Sequence, residues 1–139
     1  MINNNITKSD RKRLLNEVEK NIISVPQDKL VDHSVGGIII LFDGRKNKEL
    51  RLFMRDIIDL VGKKLDTTFS IEDEIRKEGY IEFRFQEVVE LNYDSLMKLL
   101  SWINIFLSRN FIGYQGYRVG SLLKDLYDHP IFRGDQNLG

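Results

Sequence analysis

Apolar positions recur along this chain with two different periods, and the switches between them mark out its elements. Leu14, Leu15, Val18 and Ile22 fall at helical spacing behind Thr7-Lys8-Ser9-Asp10, which offers a Thr or Ser cap with an acid close behind. They predict a first helix from about Ser9 to Ser24, ended before Pro26. Val35 to Phe42 reads VGGIIILF, a β-branched apolar run between Gly36-Gly37 and Asp43-Gly44, so the expectation is a central strand covered on both faces. Leu50, Phe53, Met54, Ile57, Val61 and Leu65 then return to a helical period and predict a second helix over Lys48 to Leu65, with Lys63 and Lys64 favouring the negative end of its dipole.

The next stretch is harder to read. Leu65 to Ile71 is rich in Thr and Phe and suggests a short strand, followed by a charged connection from Glu72 to Gly79. Tyr80 to Leu91 alternates: Ile81, Phe83, Phe85, Val89 and Leu91 share one face, and Tyr80, Glu82, Arg84, Gln86 and Glu90 share the other, the pattern of a half-exposed strand. Strict parity would turn Glu87 inward beside Phe85 and Val89, at a high desolvation cost, unless a bulge near Gln86 rotates it out or an arginine pairs with it.

Asn92 caps a third helix, and Leu96 to Leu107 is apolar nearly all round, so this helix is expected to be the most buried. On that reading Trp102→Ala deletes a full core side chain and costs roughly 3–5 kcal/mol. Arg109 to Gly120 breaks the helical period with glycines at 113, 116 and 120, and predicts a loop. Ser121 to Tyr127 resumes a short helix, ended ahead of His129-Pro130. The element order gives an α+β class: a small, mostly antiparallel or mixed sheet packed against three to four helices. One domain spans residues 1–139, with 1–7 and 133–139 frayed.

Composition narrows the chemistry. With 42% hydrophobic and 30% charged residues the chain has globular proportions, and the absence of cysteine removes disulfides, thiolate metal sites and thiol nucleophiles. No leader-like or membrane-length apolar run occurs, so the expected location is the cytoplasm, with no membrane partner. Net charge is zero, which argues against a dedicated nucleic-acid binder. The zero conceals an asymmetry: 13 basic and 9 acidic residues through Leu65, 3 and 9 from Asp66 to Asp94, then 5 and 3 from Ser95 onward. An acidic middle third facing a basic partner is one reading, and scattered solvated charge is the plainer one.

Candidate sites follow from that inventory. His33 beside Asp32, Asp43 at the far end of the same strand, and His129 beside Asp128 do not form a ligand set or pair with a marked nucleophile, so no metal, cofactor or catalytic residue is assigned. Lys8, Arg11, Lys12 and Arg13 could meet phosphates, although they lack interleaved aromatics and more simply form a solvated face. The partner-binding candidates are Glu72, Asp73, Glu74 and Glu78 on the charged connection, and Tyr114, Tyr117 and Arg118 on the glycine-rich loop, since Tyr and Arg are enriched at interface centres. The leading expectation is a non-enzymatic protein-binding domain of immunity type that inhibits a basic bacterial toxin. A nucleic-acid or regulatory adaptor using the basic first helix is the alternative, and a small enzyme with a carboxylate-based site is a third class.

Overall fold

The run Val35 to Phe42 carries no polar side chain and must be covered on both faces, and that requirement organises the fold. The computed structural model describes residues 5–22, 33–44, 47–77, 79–121 and 131–132. Among these residues, three helices and four strands follow in the order α1 (Lys8–Asn21), β1 (His33–Asp43), α2 (Lys48–Lys64), β2 (Ser70–Lys77), β3 (Tyr80–Leu91), α3 (Tyr93–Asn110) and β4 (Tyr114–Gly120). The sheet runs β2-β3-β1-β4 with every neighbour antiparallel. The fold is therefore α+β with an antiparallel sheet. The fourth helix expected after Ser121 falls on residues outside those described.

β1 occupies the centre, as its apolar run requires, and every residue from Val35 to Phe42 is buried. Ile38, Ile40 and Phe42 join Ile81, Phe83, Phe85, Tyr117 and Val119 in one core with the apolar sides of all three helices. Ile39 and Leu41 point the other way and pack with Tyr80 and Ile131. The sheet thus has a helix-covered face and a second face with its own small apolar centre.

Each helix starts where its cap places it. Thr7 and Asp10 close a reciprocal capping box on α1, with both hydrogen bonds at 3.0 Å, and that backbone contact with Thr7 draws the Asp10 carboxyl below the usual range. Asn47 and Asn92 accept from the Leu50 and Ser95 amides at the heads of α2 and α3. Arg11 reaches from α1 to α2, lying 2.9 Å from Glu49 and 3.6 Å from Asp56.

Three expectations need correction. The charged connection after Ile71 is strand: β2 pairs with β3 from Ser70↔Gln86 to Lys77↔Tyr80, and Gly79, at φ +83°, stands where the chain reverses ahead of Tyr80. The segment Leu65 to Phe69 precedes that strand and is not part of it. The glycine-rich loop is also strand, β4, held along β1 from Gly37↔Gly120 to Phe42↔Tyr114. Finally, α3 has the most buried residues of the three helices, as expected, but its burial is one-sided: Leu96, Leu99, Leu100, Ile103 and Leu107 are buried, whereas Asp94, Lys98, Ser101 and Arg109 are exposed, and Trp102, expected in the core, is half-buried.

Candidate functional site

The second sheet face collects the polar chemistry that the helix-covered face excludes. Antiparallel register sets Arg84 of β3 and Arg118 of β4 on either side of Ile39, with Asp73 of β2 next in the same row. In the adjacent row Glu82 stands beside Leu41, with Gly116 beyond it. Glu82 and Arg84 are two residues apart on one strand and so share a face. The Arg84 guanidinium donates to Glu82 Oε2 from Nη2 at 2.7 Å and from Nε at 3.0 Å. Glu82 is 0% exposed.

Glu82 is the exception on a strand side that is otherwise half-exposed as expected, with Tyr80, Arg84 and Gln86 half-buried and Glu90 exposed. A carboxylate removed from water in this way persists only with charge-assisted donors, and a fork from a planar guanidinium supplies them. Such a pair fixes which face of β3 turns to the second side. It holds no nucleophile.

Glu87, by contrast, is exposed. The β1–β3 register passes from Val35↔Val89 to Gly37↔Gln86, so Glu87 and Val88 oppose the single residue Gly36. This is a bulge next to Gln86, and it rotates Glu87 off the core side that strict alternation would give it.

The expected partner-binding residues are distributed over both edges of the sheet. Glu72, Asp73 and Glu74 lie on β2, the outer strand at one end among the described residues, and Glu72 is the extra residue where the register skips from Ile71↔Phe85 to Asp73↔Arg84. Glu78 lies outside the described residues. Arg118 is half-buried on the second face.

Tyr114 and Tyr117 face the helices, which corrects their expected display on a loop. The Tyr114 hydroxyl donates to Asn104 Oδ1 of α3, and burial pushes that phenol well above the usual range. Tyr117 is 4% exposed. Burial raises its phenol to about 12, against a smaller lowering by a hydrogen bond with Ser101 of α3. Both hydroxyls thus tie β4 to α3, and Tyr117 has no ring face to offer a partner.

Beyond the sheet, Arg11 is taken up in the α1–α2 ion pairs and Arg13 lies 3.6 Å from Asp10, leaving Lys8 and Lys12 as the cations of that group outside any ion pair among the described residues. Lys12, Arg13 and Lys20 line an open hollow of about 550 Å³ on the outer side of α1, together with Ser9, Asn16, Asn21 and the carboxylate Glu17. His33 begins β1 and Asp43 ends it, and Asp32 and His129 lie outside the described residues. Among the described residues no three His, Asp or Glu side chains converge as a metal site, and no helix is long and apolar enough to cross a membrane. Sequence reasoning overlooked the Glu82–Arg84 pair, although opposite charges two apart on an alternating strand were a usable signal for it.

No protein-family model, curated protein or solved structure matches this chain.

Proposed function

We propose that the chain is a non-enzymatic binding domain that neutralises a basic protein partner, as an immunity protein neutralises a bacterial toxin. The observation that carries this reading is the position of Glu72, Asp73 and Glu74, three acids in succession on the outer strand β2. An outer strand offers backbone donors and acceptors to an incoming chain, and acids along it select a basic one through long-range attraction. The acidic middle third of the sequence, with 9 acids against 3 bases, extends that field along β2 and β3.

Charges on an outer strand also serve a second purpose, which is to prevent sheets from joining edge to edge. Lysine serves that purpose as well as glutamate does, so charge reversal separates the two roles. The test is the association rate between the full chain and the product of the adjacent reading frame, followed at about 50 mM and about 500 mM salt. Recognition through β2 predicts an on-rate that falls at least about tenfold over that range and falls similarly at low salt when Glu72, Asp73 and Glu74 are changed to lysine. An on-rate indifferent to both changes removes β2 from the interface. Tight binding of a labelled oligonucleotide by the wild type, lost when Lys8, Lys12 and Arg13 are neutralised, would favour the nucleic-acid reading instead.

A further inference from the structure

The side of α3 turned away from the core is neither apolar nor simply solvated. Positions three and four apart on a helix share a face, so Asp94, Lys98, Ser101, Ile105 and Arg109 form one stripe along it, with Trp102 at its flank. Asp94, Lys98, Ser101 and Arg109 are exposed and Ile105 and Trp102 half-buried, so no element among the described residues covers this side. Trp102 rests on Phe106, with ring centroids 5.4 Å apart and planes at 12°, and that support holds the indole in place. Ile112 stands just past the helix end and is 65% exposed. A Trp and an Arg on one stripe with apolar neighbours is the composition of an interface centre rather than of a solvated face.

The order of these residues defines what fits against them. α3 runs from Tyr93 to Asn110, so its midpoint lies between Ser101 and Trp102. Asp94 and Arg109 stand at equal distances from that midpoint, about 11 Å each way along the axis. A two-fold axis through the midpoint sets the helix antiparallel to its copy and matches residues equidistant from the centre. Asp94 then meets Arg109 of the other copy, twice over, while Lys98 lays its stem along Ile105 and Ser101 meets Trp102. The stripe is complementary to itself, with opposite charges at both ends and apolar or small side chains between them. A parallel pairing would instead set Asp94 against Asp94 and Arg109 against Arg109.

We propose that the outer stripe of α3 is the contact surface for a second copy of this chain, the two helices antiparallel about a two-fold axis, with Ile105 and Trp102 at the centre and Asp94 of each copy against Arg109 of the other. One helix from each copy makes a small interface, so the dimer belongs to the weak, reversible class and fills only at high concentration. Asp94 in the first turn and Arg109 in the last also suit the helix dipole. That local role acts within one chain, whereas the two-fold contact acts between chains, so exchange of partners separates them. The surface lies in the helix layer and does not depend on the function proposed for β2.

Sedimentation equilibrium of the full chain, followed from about 5 μM to about 500 μM, tests the proposal. The wild-type mass should rise from 16.3 kDa toward twice that value. Ile105→Lys should weaken the dimer at least about tenfold, and so should Asp94→Arg or Arg109→Asp alone, since each reversal sets two like-charge pairs across the axis. Mixing the Asp94→Arg and Arg109→Asp chains should restore association, because in the mixed dimer both end pairs are again of opposite sign. A dipole effect confined to each chain gives no such rescue. Where a charge reversal costs the chain its folded spectrum, the wild-type mass and Ile105→Lys, at a position already partly open to solvent, decide the matter by themselves. Three results would each overturn the proposal: a mass of 16.3 kDa persisting at about 500 μM, a dimer indifferent to Ile105→Lys, or a mixture of folded reversal variants no more associated than its parts.

Discussion

Gly116 and Gly79 both have positive φ, at +139° and +83°, yet their surroundings differ in a way that separates two causes of strain. A Cβ on Gly79 would meet nothing within 4 Å, so alanine there carries only the backbone penalty of a left-handed conformation. A Cβ on Gly116 would collide with backbone, the carbonyl of Phe132, which cannot rotate away as a flexible side chain can. Gly79→Ala should therefore cost about 1 kcal/mol, and Gly116→Ala at least about 2 kcal/mol more. Urea denaturation of the two variants checks the difference, and equal midpoints would show that Ile131-Phe132 yields at no cost. The sequence displayed these glycines but not their purposes. Next to two tyrosines and an arginine, Gly116 suggested a display loop, because close approach of a distant segment leaves no local signal. Glu82 was misjudged for a related reason. Alternation placed it opposite the core face, and a single strand cannot reveal that its other side is covered as well.

At the scale of elements, periodicity was a faithful guide wherever it was uninterrupted. The second helix was expected over Lys48 to Leu65 and forms over Lys48–Lys64, and the alternating strand was expected and found over Tyr80 to Leu91. β2 escaped notice because the bulge at Glu72 breaks its alternation and its charges resemble those of a linker. The third helix shows the limit of composition. Leu96 to Leu107 is apolar nearly all round, yet the sheet and α2 cover one side of α3 only, and Trp102 remains half-buried, stacked on Phe106 with centroids 5.4 Å apart and planes at 12°. The cost of deleting a side chain follows the area it loses, so Trp102→Ala should destabilise by about 1–2 kcal/mol rather than the 3–5 kcal/mol of a sealed core position. A loss above about 3 kcal/mol in urea denaturation would show that Trp102 is enclosed after all.

On the scale of the whole molecule, β1 is what makes two cores out of one sheet. Its run of eight buried residues, Val35 to Phe42, sends alternate side chains to the helices and to the second face, where Ile39 lies between Arg84 and Arg118 in the register. The run itself announced a strand covered on both sides. What it could not announce was the kind of cover, since the second face joins two apolar side chains of β1 to the buried ion pair of β3. Burial of that pair returns little net stability, because desolvation of the charges offsets most of their attraction. The apolar pair should then carry most of the stabilisation on that side. Ile39 and Ile40 are adjacent, identical in chemistry and exposed by 0% and 1%, so they compare the two faces directly. If both faces are packed to core density, Ile39→Ala and Ile40→Ala should each cost about 2–5 kcal/mol with an unchanged denaturant slope. A loss below about 1 kcal/mol for Ile39→Ala alone would mean that the second face is loosely covered in solution. In that case Ile131, which packs on Ile39 and Leu41, would spend much of its time away from the sheet.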